Sequence, residues 1–162
     1  MSESPFKVGL PEIFDTYEMG AIEELVSNGA EVDATNLRDN LNRAQMIGVK
    51  CDGGRIVAVA VLKRIRRDYN RTISDQKHSG HALDSNATEL GYIVSTQPGS
   101  GGAVTRTILE HAHGQVFATV RTDNGKMRSI LKQTGFVETL KPWRSRQHVG
   151  KEITLWVRGL SA

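Results

Sequence analysis

A single cysteine, Cys51, stands among the 162 residues, so no internal disulfide can form and a reducing compartment fits best. No apolar run approaches the ~20 residues that a helix needs to cross a bilayer, and no membrane partner is expected. The opening MSESPFKVGLPE has neither the basic nor the apolar segment of a secretory leader, which makes a cytoplasmic location the expectation. Neither G-x-x-x-x-G-K-(S/T) nor G-x-G-x-x-G occurs, which removes the P-loop and dinucleotide fingerprints. Internal repeats and low-complexity tracts are absent as well.

What is present fits one globular domain over residues 1–162, long enough to bury a substantial core. Hydrophobic residues make up 38% and charged residues 24%, both ordinary for a packed domain. A net charge of +3 and a pI near 9.2 mildly favour an anionic ligand or partner, without requiring nucleic acid.

Phe6–Leu10 reads as a short edge strand. Ile13, Phe14, Tyr17, Ile22, Leu25 and Val26 recur at helical spacing, which predicts a helix over Glu12–Asn28 stopped at Gly29. A shorter helix starts near Asp33 or Thr35 and carries Leu37, Leu41 and Ala44. Gln45–Lys50 and Arg55–Lys63 are strands joined by Asp52-Gly53-Gly54, a strong hairpin signal, and the hairpin reads as scaffold. Residues 64–85 are polar and aperiodic. Arg64, Arg66, Arg67 and Arg71 gather there around Tyr69, with His78 and His81 following. That composition suits a solvated charge run or a loop that faces an acidic or phosphorylated substrate.

The stretch from Glu89 to Phe136 is the most informative. ELGYIVS is a strand, PGSGGAVT a glycine-rich turn and RTILEHA a helix. QVFATV is a second strand, and a second helix opens at Asn124 and ends at Gly135. A glycine-rich turn feeding a helix leaves backbone N–H groups unpaired at the positive end of the helix dipole, a seat for phosphate or diphosphate. Standing alone, Gly-Ser-Gly-Gly would be an ordinary loop. Two last strands, Phe136–Leu140 and Glu152–Val157, are joined by KPWRSRQHVG. The order β-α-α-β-β-β-α-β-α-β-β is a mixed α/β arrangement of the α+β type. One central, mostly antiparallel sheet is flanked by helices.

In that order the chain resembles the GNAT (GCN5-related N-acetyltransferase) family. ELGYIVS is similar to the family's fourth strand, E-(I/V)-G-Y-x-x-V. PGSGGAVTRTIL occupies the place of its acyl-coenzyme-A loop and helix. FATVRTDNGKMRSILKQTGF follows its second motif, with a strand ending V-R-x-x-N and a helix ending G-F. The resemblance covers nearly the whole chain and implies an acyl-CoA N-acyltransferase fold with acetyl-coenzyme A as cofactor.

By position, the resemblance assigns backbone contacts with the pantetheine arm to Ile93, Val94 and Ser95. It assigns a diphosphate cradle to the N–H groups of Ser100, Gly101, Gly102, Ala103, Val104 and Thr105. Arg106 would add charge, Asn124 would hydrogen-bond the pantetheine arm, and Arg128 would lie near the cofactor's outer edge. Asn124 is at the same time a good N-cap. Two departures stand out. The family loop (R/Q)-x-x-G-x-(G/A) meets Ser100, Ala103 and Thr105 at its defining positions when aligned without gaps. Leu131 stands where many relatives carry the tyrosine that protonates the departing thiolate, leaving Tyr92, Tyr69, Ser145 or water as substitutes.

Acyl transfer needs a neutral amine, so a base must take the proton of an ammonium whose pKa is near ~10. Glu89, at the start of the fourth strand, is the candidate, acting directly or through a water, and its alternative is a strand-end carboxylate facing solvent or paired to an arginine. His78 and His81 are runners-up for the base, although histidines in a polar loop are more often plain surface residues. Tyr69, His78, His81 and Trp143 are candidate acceptor-site residues, although Trp143 also suits a half-buried hairpin anchor. No metal is expected. The acceptor would be an amine on a small molecule, a protein or an aminoacyl-tRNA, and a second copy of the chain is a further conceivable partner. The competing reading is a non-catalytic binding module of the same fold that holds nucleic acid or a partner protein through its basic loop.

Overall fold

The computed structural model describes residues 3–29, 34–64, 83–84, 86–139, 142–144 and 149–159. The chain falls into two compact units, Met1–Arg64 with Leu90–Ala112, and Ile65–Glu89 with His113–Ala162.

The first unit contains β1 (Phe6–Gly9), α1 (Thr16–Gly29), α2 (Leu37–Asn42), β2 (Met46–Asp52) and β3 (Arg55–Arg64). It also holds most of β4 (Thr88–Ser95), together with α3 (Ser100–Glu110). Strand order here is β1-β2-β3-β4, with β1–β2 and β2–β3 antiparallel. The tight turn between β2 and β3 works because Gly53 and Gly54 take φ of 58° and 80°, a left-handed pair that residues with a Cβ resist.

Alternation along β2 sorts the two faces of this sheet. Ile47 and Val49 join Val59 and Val61 in a core with Phe14, Met19, Ile22, Val26, Leu37 and Leu41, the apolar sides of α1 and α2. Gly48 turns the other way, towards α3: a Cβ there would stand 3.3 Å from Ile108 Cβ. With both faces covered, residues 57–62 of β3 are continuously buried, which accounts for the run VAVAVL. Each fully buried Val, Leu or Ile contributes roughly 1.5–3 kcal/mol, so this core carries much of the unit's stability.

Two helix starts differ from the sequence expectation. Pro11–Ile13 form a 3-10 turn, and α1 begins at Thr16 instead of Glu12. The cause is a capping box: Asp15 Oδ1 accepts from Glu18 N at 2.8 Å and Glu18 Oε1 accepts from Asp15 N at 3.0 Å. Further along, α3 begins at Ser100 instead of Arg106, so most of the expected glycine turn is the first turn and a half of a helix.

The second unit contains Thr88 and Glu89 of β4, β5 (Val116–Arg121), α4 (Gly125–Gln133), β6 (Val137–Glu138), β7 (Trp143–Arg144) and β8 (Glu152–Arg158). Thr88 and Glu89 run parallel to Val116 and Phe117, whereas β5, β6 and β7 each pair antiparallel with β8. Leu83, Ala87, Phe117, Leu155 and Val157 form a core. α4 ends as its Gly135 predicts, with φ of 91° and Phe136 N donating to Leu131 O at 3.0 Å across the left-handed residue. The architecture is mixed α+β, largely antiparallel with the β4–β5 pair parallel, and flanked by helices.

Gly48→Val would force two methyl groups into the Ile108 contact. Urea unfolding should show a loss of about 1–3 kcal/mol, with the midpoint falling.

Candidate active site

The fourth strand carries the sharpest backbone feature. Tyr92 has φ of 49°, and among the described residues it is the non-glycine residue with positive φ. A bulky residue held there costs on the order of 1–3 kcal/mol and persists only where its surroundings over-determine it. Three contacts do so. The ring packs against the α1–α2 core, the Lys63 ammonium lies 4.4 Å above its centroid, and the phenol oxygen accepts from Asn40 Nδ2 at 3.4 Å. A Cβ at Gly91 beside it would stand 2.8 Å from Lys63 Cε, so the lysine side chain over Tyr92 would have to shift.

After Tyr92, Ile93 and Ser95 are half-buried and Val94 is buried. Ser95 Oγ donates to Gln97 O at 2.5 Å and accepts from Gln97 N at 3.1 Å, turning the chain towards Gly99. Gly99, the N-cap of α3, has φ of 80° and offers no side-chain cap. Ser100 N donates to Gln97 O at 3.2 Å, and the helical ladder opens with Ala103 N on Gly99 O at 3.1 Å. The amides of Gly101 and Gly102 therefore precede the ladder. A Cβ added at Gly99 or Gly102 would meet nothing within 4 Å, so the turn is open at these two positions, whereas Ser100 and Gly101 between them are buried.

The sequence reading spreads the exposed amides from Ser100 to Thr105. Because those residues are helical, the amides available to a ligand are confined to the first turn, and Ala103, Val104 and Thr105 serve packing instead. Thr105 Oγ1 donates to Gly101 O at 2.7 Å and is fully buried. Arg106 is exposed and lies about 9 Å along the axis from Ser100, not at the helix start.

Lys50 is the residue that the sequence reading leaves in the scaffold. Its Nζ donates to Ser100 Oγ at 3.1 Å, which puts an ammonium at the N-terminus of α3. The available signal was a lone lysine in the apolar strand MIGVKC, two positions after Gly48 and so on the same face. Nearby, Asp52 Oδ2 accepts from Gln97 Nε2 at 2.7 Å.

In the second unit Glu89 is half-buried and in register with Phe117. Asn124 caps α4, its Oδ1 accepting from Met127 N at 3.1 Å, which leaves its NH2 group for another acceptor. Arg128 is committed inside the unit: one guanidinium nitrogen donates to Thr122 O at 3.1 Å and another lies 3.5 Å from Glu138. Asp123 is held below the usual carboxylate range, first by a hydrogen bond from Lys151 and further by Arg121. Leu131 is fully buried, so the family's tyrosine position is a core position here. Trp143 sits in strand β7 opposite Ile153, not in a loop. Tyr69, His78, His81 and Ser145 lie outside the described residues, as does nearly all of the basic 64–85 stretch.

A separate groove of about 340 Å³ runs along α1 in the first unit, lined by Tyr17, Glu24, Leu25, Cys51 and Ile56 among others. Burial first, then Glu18, pushes the Cys51 thiol up in pKa.

No family model and no curated protein sequence matches the chain. Solved structures do. The yncA protein of Salmonella typhimurium, solved with its cofactor acetyl-CoA, aligns with a TM-score of 0.69 at 15% identity, over 98% of this chain and 96% of that one. The ribosomal-protein-S18-alanine N-acetyltransferase of Escherichia coli gives 0.65 at 12% identity, over 97% and 95%. A GNAT-family acetyltransferase of Bacillus cereus gives 0.64 at 10%, over 97% and 99%. The likeness extends over whole chains and establishes the fold as that of the GNAT acetyltransferases.

Asn124→Ala should cost about 1 kcal/mol by chemical denaturation through loss of the cap, whereas Asn124→Asp should leave stability near wild type. Cys51 should alkylate with iodoacetamide more slowly at pH 8 than an unperturbed thiol and gain rate only at more alkaline pH, since the thiolate is the reactive form.

Proposed function

We propose that this chain is an N-acetyltransferase that moves an acetyl group from acetyl-coenzyme A to a primary amine. The observation that carries the reading is the open first turn of α3, directly after the strained strand β4, in a fold with a neighbour solved with acetyl-CoA. The donor set suits a diphosphate. Two amides precede the ladder, a hydroxyl and an ammonium stand beside them, the first turn holds no acidic residue, and no Cβ blocks the approach at Gly99 or Gly102.

Acetyl-coenzyme A would supply a thioester, an acyl group already activated towards amines. Gly101, Gly102 and Ser100 would hold its diphosphate, and the backbone of Ile93, Val94 and Ser95 would lie along the pantetheine arm like one more strand. A backbone N–H of β4 near Tyr92 would polarise the thioester carbonyl, the kind of fixed donor that stabilises developing oxyanion charge. Glu89, three residues earlier on the strand, would take the proton of the attacking amine directly or through water. With Leu131 buried, no tyrosine on α4 protonates the departing thiolate. A thiol pKa near ~8.5 makes that proton dispensable at neutral pH. The Tyr92 phenol, which accepts from Asn40, is a second possible source. Arg128 bonds Thr122 and Glu138, and its buried Nε keeps no hydrogen-bond partner among the described residues. The acceptor class stays as wide as the sequence leaves it: a small amine, a protein amine or an aminoacyl-tRNA.

The second reading, a binding module of the same fold, draws on the buried Leu131 at the acid position. Acetyl-CoA separates the two. At a free concentration of 100 Kd it should stabilise the chain by roughly 2.7 kcal/mol, read as a rise in Tm; a flat response would favour the module. Given that rise, Glu89→Gln should cut turnover about 100-fold or more while leaving the ligand-induced rise intact. Wild-type turnover in that variant would take Glu89 out of the mechanism.

A further inference from the structure

We infer that Lys50 is a phosphate ligand: its ammonium joins the Gly101 and Gly102 amides in holding the diphosphate of coenzyme A. The inference rests on the transferase reading for the identity of the ligand, but its physical basis lies in the first unit alone. Lys50 follows Gly48 by two positions on β2, so both face α3. Gly48 admits the helix and Lys50 meets its N-terminus, with Nζ 3.1 Å from Ser100 Oγ.

The placement is unfavourable without an anion. A cation belongs at the carbonyl end of a helix, where it meets the negative pole. Here it stands at the amide end, against like partial charge. Nothing in the helix offsets it, since the first turn of α3 carries no acidic residue and the N-cap glycine contributes no side-chain acceptor. The nearest acid in sequence, Asp52, accepts from Gln97 instead, and among the described residues no carboxylate pairs with Lys50. An ammonium has three hydrogens and the Ser100 hydroxyl takes one, leaving two for another acceptor. A diphosphate placed on the first-turn amides would receive those hydrogens and supply the missing counter-charge to helix and lysine together.

A lysine that merely pegged the hairpin to α3 would behave differently from a ligand-binding one, and the difference is measurable. Wild type, Lys50→Gln and Lys50→Arg are titrated calorimetrically with coenzyme A and with ADP, which shares only the nucleotide diphosphate portion, and each apoprotein is melted. Lys50→Gln should bind both ligands at least about tenfold more weakly, and Lys50→Arg should recover most of the loss. The gap should narrow as salt is raised. The Tm of the Lys50→Gln apoprotein should hold or rise, because a repulsive charge has been removed. Ser100→Ala, which releases the ammonium from its hydroxyl, should weaken both ligands by less than Lys50→Gln does.

Wild-type affinity in Lys50→Gln would overturn the inference, and so would a fall in apoprotein Tm without a loss of affinity. If ADP binding depends on Lys50 but acetyl-coenzyme A donates its acetyl group to no amine, the phosphate role stands and the transferase reading fails. A wild-type chain that binds neither ligand overturns both.

Discussion

The close approach of α3 to β2 is the constraint on which the rest of the first unit depends. It exists because residue 48 has no side chain, which lets Ile108 settle against the strand. With the axis of α3 fixed there, its N-terminus falls at Lys50, and the short turn from Ser95 to Gly99 must deliver the chain to that point. The same packing buries Val104, Ile108 and Leu109, which offsets the cost of opening a helix with glycines, about 1 kcal/mol each relative to alanine. A glycine-rich first turn is thus maintained by contacts made further along the helix.

Strand β4 was legible to the residue, and so was the hairpin turn, because their signals are local: β-branched residues with period two, and Asp-Gly-Gly between apolar runs. The start of α1 was placed too early: the apolar spacing of Ile13 and Phe14 pointed to Glu12, whereas Asp15 and Glu18 at capping-box spacing open the helix at Thr16. For α3 the local signal misleads. Gly-Ser-Gly-Gly has the composition of a turn, and only the sheet beneath it makes those residues helical. Tertiary override of propensity is the common cause of such misplacement.

At the site the division is similar. Asn124 was readable as a cap because a cap is a contact between residues three apart, and it makes that contact. The left-handed φ of Tyr92 was not readable, since ELGYIVS has the composition of a regular strand and the strain comes from Lys63, Asn40 and the α1–α2 core. Lys50 was invisible for the same reason. Its partner lies fifty residues away in sequence, and no local pattern links a lysine in a hairpin to a serine at a helix start. The bonds of Arg128 to Thr122 and Glu138 could not be foreseen from its position near the helix start.

Several local rules are broken within this one unit. A tyrosine takes a glycine's conformation, an ammonium sits at the wrong pole of a helix, and a helix opens on residues that resist helix formation. Each costs on the order of a kilocalorie or more, against a total stability that for a chain of this size is only about 5–15 kcal/mol. A scaffold under no other demand would shed such costs through single substitutions, since a glycine at 92 and a neutral residue at 50 are each one change away. Conflicts between local preference and the global fold collect where a ligand, absent from the energetics of the empty chain, supplies the compensation. A diphosphate held at the first turn of α3, as proposed, would answer two of them together: it would be the counter-charge for Lys50 and the acceptor for first-turn amides that precede the helical ladder.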